Sequence, residues 1–372
     1  MKLVSITATS LAIPFNVAFR HASAERSATQ SLWVEARAHD GTAGYGEGCP
    51  REYVTSESIA SAQAFGHAHT AQWIEAIHDT NTLGDWVARH RDAIDANPAA
   101  WTAVELALLD FFGKCERQSV ESLLGLPELS GRFRYTAVLG DSGAAQFSAQ
   151  LAHYRKAGFS VFKIKLSGDR DRDAAKVAAL TAAGVEAQAV RADANNLWQD
   201  ADTAIRALEA LGYSFFALEE PLPAGDYEGM NRLAGALETR IILDESLLRA
   251  DQLDRLPGPA ERWIANLRIS KMGGVLRSLE LVRALRSRGL QLIIGAHVGE
   301  TSVLTRAALT VTHSARDILI AQEGAFGTHL LARDVAEPPL MFGPGGILDS
   351  SALNSEAPGF GLAIVPIPAA NI

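Results

Sequence analysis

Ala187-Gln-Ala-Val-Arg-Ala-Asp193, Phe215-Phe-Ala-Leu-Glu219 and Ile241-Ile-Leu-Asp244 are short, largely apolar runs that each end on a carboxylate. Runs of this length between polar, helix-length segments suit strands buried on both faces. The rhythm extends in both directions, through Tyr135–Leu139, Val161–Leu166, Trp263–Leu267, Leu290–Gly295 and Ile318–Gln322. Strands alternating with helical stretches in one sense imply a parallel sheet, and eight such units imply a closed barrel. The fold class is therefore α/β.

Ionisable side chains close seven of these strands. They are Lys165, Asp193, Glu219, Asp244, Lys271, His297 and Glu323, at successive gaps of 28, 26, 25, 27, 26 and 26 residues. Each falls at the same point of a βα unit, which in a barrel is the C-terminal rim where active sites lie. Strand ends that merely meet solvent would explain two or three such residues, but not carboxylates flanked by lysines in order.

The first part of the chain has a different texture. Val4–Pro14 and Gln30–His39 alternate as strands of a small antiparallel sheet, with a turn at Gly41 and Gly44. Ser56–Ala76 and Leu83–Ile94 read as polar-faced helices, and Ala99–Lys114 as a helix buried nearly all round. Gly44-Tyr-Gly-Glu-Gly48 lacks the strand-to-helix setting of a dinucleotide site. No good helix follows the eighth strand, and the stretch 326–351 is rich in Pro and Gly. The expected organisation is an α+β capping domain over 1–125, a (β/α)7β modified TIM barrel over 126–325, and a segment over 326–372 that returns to the cap.

Composition bounds the function. A formal net charge of −9 leaves no basic excess to neutralise phosphates, which argues against nucleic acid or an anionic membrane as partner. Two cysteines do not make a disulfide framework in 372 residues. The first fifteen residues lack a continuous apolar stretch, and none elsewhere reaches the length of a membrane span. A cytoplasmic protein acting on a small molecule is expected.

Asp193, Glu219 and Asp244 would end three adjacent strands. Convergent carboxylates raise one another's pKa unless a cation sits between them, and all-oxygen ligation selects a hard ion, Mg²⁺ or Mn²⁺. Glu220 and Glu245 are immediate neighbours that could take the same role. Lys163 and Lys165 share one side of their strand, and crowding of like charges makes one of them a better base. Lys271 ends the sixth strand, across the barrel. An acid–base group on each side of a metal-held carboxylate suits removal of the α-proton and stabilisation of an enediolate. A metal-dependent hydrolase would want His-x-His at the first strand, which reads Tyr135-Thr-Ala-Val-Leu139.

The set Lys163-Ile-Lys165, Asp193-Ala-Asn195, Glu219-Glu-Pro221, Asp244-Glu-Ser246 and Lys271-Met-Gly-Gly274 resembles the enolase superfamily, in particular its muconate lactonizing enzyme subgroup. The resemblance covers essentially the whole chain. It implies Mg²⁺ on Asp193, Glu219 and Asp244, Lys165 and Lys271 as the acid–base pair, and Lys163 as a residue that helps hold the substrate carboxylate or tunes Lys165. It also implies a specificity loop near residues 15–28, with Arg20, His21 and Arg26 as substrate contacts, and a homo-oligomer. Asn195, His297, Glu300 and Glu323 complete the expected substrate contacts. The implied reaction is racemisation or epimerisation of an amino-acid derivative or similar carboxylate, with cycloisomerisation or dehydration through the same enediolate as the alternative. Dipeptide epimerases of the group carry Asp-x-Asp on the eighth strand to hold the substrate ammonium; this chain has Ala321-Gln322-Glu323.

Overall fold

The computed structural model describes residues 2–21, 24–324, 327–353 and 357–367. Strands β1 (Leu3–Leu11), β4 (Ser31–Ala38) and β5 (Ala43–Gly48) form an antiparallel sheet in the order β1-β4-β5. A hairpin of β2 (Pro14–His21) and β3 (Ala24–Ala28) stands apart from it. Six helices follow: α1 (Glu52–Thr55), α2 (Ile59–Ala76), α3 (Thr80–Arg89), α4 (Arg91–Ala96), α5 (Pro98–Glu116) and α6 (Val120–Leu123). The stretch expected as one helix over Leu83–Ile94 is two, because His90 leaves helical geometry at φ −115°, ψ 32°.

Helix α5 is buried from Pro98 to Gly113 and joins the two halves of the molecule. On one side it lies against β5, where Gly46 and Gly48 admit it: a Cβ on either would stand 1.9 Å from a carbonyl oxygen of α5. The glycine-rich stretch is thus a packing surface. On the other side Thr102 reaches the carbonyl of Ile269 at 3.3 Å, and Glu105 accepts the amide of Leu276 at 3.1 Å.

The second half is the barrel. After β6 (Arg132–Arg134), eight parallel strands run in sequence order: β7 (Ala137–Leu139), β8 (Phe162–Lys165), β9 (Val190–Asp193), β10 (Ala217–Glu219), β11 (Ile241–Leu243), β12 (Trp263–Leu267), β13 (Gln291–Ile294) and β14 (Leu319–Gln322). The amide of Thr136 donates to the carbonyl of Gln322 at 2.8 Å, which brings the last strand beside the first. The outer helices are α7 (Ala144–Lys156), α8 (Arg170–Ala182), α9 (Ala201–Glu209), α10 (Tyr227–Ala236), the single turn α11 (Ile269–Met272), α12 (Val275–Ser287) and α13 (Ser302–Ser314). The connection between β11 and β12 departs from expectation, with only 3-10 turns at Ala250–Arg255 and Ala260–Arg262. Pro257, Gly258 and Pro259 block a regular helix there.

After the short helix α14 (Gly327–Leu330), β15 (Ile347–Asp349) pairs antiparallel with β6. The same segment touches the first half, where the Ala332 amide donates to the Pro14 carbonyl at 2.9 Å and the Phe360 amide to Asp110 Oδ1 at 2.9 Å. Among the described residues, no helix is long and apolar enough to cross a membrane.

Candidate active site

The barrel interior sets the register of everything at its rim. Ala217, Ile242, Ile264 and Ile293 pack together inside the barrel. Side chains alternate along a strand, so the residue two further on also points inward. That rule carries Ala217 to Glu219, Ile242 to Asp244, Ile264 to Asn266 and then Arg268, and Ile293 to Gly295 and then His297.

The three carboxylates Asp193, Glu219 and Asp244 are all buried, and cations lie among them. Lys163 Nζ stands 3.1 Å from Asp193 Oδ2, 2.7 Å from Glu219 Oε2 and 3.0 Å from Glu323 Oε2. Lys165 Nζ donates to Asp193 Oδ2 at 2.5 Å and to Asn195 Oδ1 at 2.8 Å. The Arg268 guanidinium contacts Asp244 Oδ2 and comes within 3.8 Å of Glu219 Oε1. Asn266 donates its amide to Glu219 Oε1 at 2.9 Å.

The electrostatics are uneven. Burial opposes ionisation of Asp193, but the Lys165 and Lys163 ammonium groups hold it down at about 2. Asp244 is likewise held below the ordinary carboxylate range, against burial, by Arg268 and Lys271. Glu219, in the middle, is pushed up to about 7 by burial and by the neighbouring Asp193. Lys163 is also buried, yet Glu219, Glu323 and Asp193 keep it charged, well above its ordinary value.

The structure separates Glu219 from Glu220. Glu220 points away from the rim and accepts the amides of Asp244 and Ser246, both at 2.7 Å, and the Ser246 hydroxyl at 2.8 Å. It anchors the next strand's end. Glu245 is adjacent, with a buried Oε2 that has no hydrogen-bond partner among the described residues.

Other expected residues fall differently. Asn195 serves Lys165. Glu323 accepts from Lys163 and from Arg191 Nη2 at 3.0 Å, so both its oxygens are engaged by protein cations. His297 and Glu300 form a buried pair: Glu300 Oε1 accepts the His297 amide at 2.7 Å and lies 3.3 Å from Nδ1. Burial pushes Glu300 up to about 8 and pulls His297 down, the latter with help from Arg268. His297 Nε2 has no partner among the described residues. Arg26 is buried beside the Tyr53 ring, 5.7 Å from its centroid, with Nε and Nη1 unpartnered among the described residues. The side chains of Arg20 and His21 lie outside the described residues.

Lys271 does not stand at the strand end as expected. It belongs to α11, its side chain is 0% exposed, and Nζ donates to the carbonyls of Asp244 and Asn266, both at 2.7 Å, and to Asp244 Oδ1 at 2.9 Å. Asn266 on β12 and Arg268, the extended residue just after it, are the next inward positions. The motif reading passed over both, although counting by twos from Ile264 finds them.

Among the described residues, no group of three or more His, Cys, Asp and Glu side chains is already gathered for a metal ion. The donor set nevertheless fits a hard divalent cation. It offers buried carboxylate oxygens from three adjacent strands, and Glu219 Oε2 lacks a hydrogen-bond donor even with Lys163 nearby.

Comparison with known proteins adds three findings. Residues 146–366 match the family model described as enolase C-terminal domain-like. The chain is 30% identical over 364 residues to an L-Lys-D/L-Arg epimerase of Methylococcus capsulatus, covering 94% of each, and 25% identical over 327 residues to an N-succinyl-L-Arg/Lys racemase of Bacillus cereus, covering 86% of each. The crystal structure of a dipeptide epimerase from Methylococcus capsulatus complexed with Mg and the dipeptide L-Arg-D-Lys superposes with a TM-score of 0.81 at 27% identity, covering 98% of this chain and 100% of that one.

Proposed function

Because the chain belongs to the enolase C-terminal domain-like family of the enolase superfamily, we propose that it is a Mg²⁺-dependent isomerase that removes the proton α to the carboxylate of an amino-acid derivative. The observation that carries this reading is Lys165: an amine with a side chain 18% exposed, set directly beside buried carboxylates. Asp193, Glu219 and Asp244 would hold the ion. Mg²⁺, for which Mn²⁺ is the alternative, would supply Lewis-acid stabilisation of the charge gathering on the substrate carboxylate.

The chain's own residues do the rest. Lys165 takes the α-proton, and Asn195 and Asp193 fix the position of its Nζ. Lys163 supplies positive charge at the floor of the site, which opposes the cost of a second negative charge on the substrate. Buried Glu323, tied to Lys163 and Arg191, keeps that ammonium in place rather than receiving an ammonium from substrate.

The same point bears on substrate class. Each Glu323 oxygen already accepts from a protein cation, so this carboxylate is poorly placed to receive a free substrate amine. Arg26, by contrast, presents buried donors without acceptors among the described residues. We read the substrate as an N-acylated amino acid whose distal end accepts hydrogen bonds or carries negative charge. The N-succinyl racemase among the relatives is consistent with that chemistry. A cytoplasmic location, drawn from the sequence, and homo-oligomeric assembly, drawn from the family resemblance, belong to the same reading.

Cycloisomerisation or dehydration stays as a second reading because of one observation, the complete burial of Lys271, since either reaction needs one base only. The deciding experiment is α-proton exchange in D₂O followed by NMR, with N-succinyl and other N-acylamino acids, dipeptides and muconate-type acids as substrates. Exchange that requires Mg²⁺ and disappears in Lys165→Ala supports the reading. Exchange that persists in Lys165→Ala, or none by the wild type with any of these acids, removes it.

A further inference from the structure

Two residues of the sixth βα unit compete for the place across the barrel from Lys165. β8 and β12 are separated by four steps around an eight-stranded sheet, so whatever β12 turns inward faces Lys165 across the mouth. The strand's own alternation decides which residue that is. Ile264 packs in the barrel interior, Asn266 reaches Glu219, and Arg268 is the next inward position.

The surroundings are shaped for Arg268. Gly295 on the neighbouring strand has no side chain, and a Cβ there would stand 2.2 Å from Asn266 Oδ1 and 3.1 Å from Arg268 Cγ. The guanidinium lies on Asp244 Oδ2, with its side chain 12% exposed. It is buried enough to be held, yet it retains a face toward the site. Its Nε is without an acceptor among the described residues.

Lys271 has the opposite character. An ammonium has three N–H donors, and all three are used on the carbonyls of Asp244 and Asn266 and on Asp244 Oδ1. Its turn, α11, is packed against α5. Swinging Nζ toward a substrate would give up all three of these buried hydrogen bonds at once, although the Asp244 carbonyl would keep the Leu247 amide.

We infer that Arg268 is the residue that meets the substrate on the face opposite Lys165, and that Lys271 is a positioning residue that fixes Asp244. The inference rests on the α-proton reading above. A guanidinium offers planar, forked donors suited to two carboxylate oxygens, so the two faces of the site are chemically unequal. An amine stands on one side and a forked cation on the other.

The test compares Arg268→Met, Arg268→Lys and Lys271→Met with the wild type by thermal denaturation, by Mg²⁺ titration calorimetry, and by exchange and inversion of a substrate that the D₂O experiment identifies. Lys271→Met is expected to lower the thermal midpoint and to weaken Mg²⁺ binding on the order of 10–100-fold, as loss of a group that orients a ligand does. Arg268→Met is expected to bind Mg²⁺ no more weakly than the wild type, because the guanidinium would compete with the ion for the Asp244 carboxylate. It is also expected to lose roughly 100-fold or more in kcat/KM for inversion, with Arg268→Lys recovering part of that loss. The assignment is overturned if Arg268→Met inverts substrate like the wild type. It is equally overturned if Lys271→Met loses inversion with its melting and Mg²⁺ affinity unchanged. Should the wild type exchange no substrate, the α-proton reading fails and the Arg268 assignment falls with it, while melting and Mg²⁺ affinity still decide the positioning role of Lys271: Lys271→Met must impair both.

Discussion

Asn266 donates its side-chain amide to Glu219 Oε1 at 2.9 Å from a position with no exposure of its own. This contact joins β12 to the middle carboxylate of the triad and fixes one of its two oxygens. Groups that orient a metal ligand without touching the metal matter to affinity, so Asn266→Leu should weaken Mg²⁺ binding by about 10–100-fold. Titration calorimetry with Mg²⁺ measures this, and an unchanged affinity would show that Glu219 needs no such guide.

The triad itself makes a thermodynamic prediction. An ion that binds the folded chain and not the unfolded one adds about 2.7 kcal/mol of stability at one hundred times its Kd. Mg²⁺ should therefore raise the melting temperature of wild type and leave Asp193→Asn nearly unmoved. A comparable Mg²⁺-induced rise in Asp193→Asn would place the ion elsewhere.

The parts of this molecule legible in the sequence are those governed by repetition. Alternation of short apolar runs with helical stretches exposes the barrel, and ionisable residues recurring at 25–28-residue intervals expose its rim. What stays hidden depends on a register that only neighbouring strands define. Lys271 stands out beside Gly273 and Gly274, yet the chain has already turned into α11 by then and its ammonium is spent on backbone carbonyls. Arg268 and Asn266 carry no motif, and their inward direction follows from where Ile264 packs. Glu219 and Glu220 are indistinguishable by type and are separated only by which one the Asp244 and Ser246 amides reach. Glu323 has the residue type of a substrate contact, but Arg191, one inward step below Asp193 on β9, consumes one of its oxygens.

Packing in the first half gives a sharper case. Gly46 lies so close to α5 that a Cβ would stand 1.9 Å from the Ala103 carbonyl oxygen. Backbone on both sides leaves no flexible side chain to yield, so even Gly46→Ala forces strand and helix apart. The expected cost is about 3 kcal/mol or more. Gly41→Ala is the counterpart for strain without crowding, because nothing lies within 4 Å of a Cβ there while φ is +91°. It should cost only about 1–2 kcal/mol. Denaturant melts of the two variants check the order, and equal losses would contradict the packing account.

Glu105 yields a pH dependence. It sits in α5, fully enclosed, and burial pushes its carboxyl up to about 7 although the Leu276 amide and the Trp101 indole donate to it. A folded-state pKa above the unfolded one means the native chain holds the proton more tightly. The stabilising effect of that proton is fully present below the ordinary value of 4.5 and is lost as pH rises through about 7. The loss over that window is on the order of 3 kcal/mol as an upper figure. Glu105→Gln has no proton to lose, so its stability should fall less than that of the wild type between about pH 5 and about pH 8. The comparison is a pair of urea melts at each pH. Parallel declines in the two proteins would mean that Glu105 is already ionised in the fold, with the Leu276 and Trp101 donors outweighing its burial.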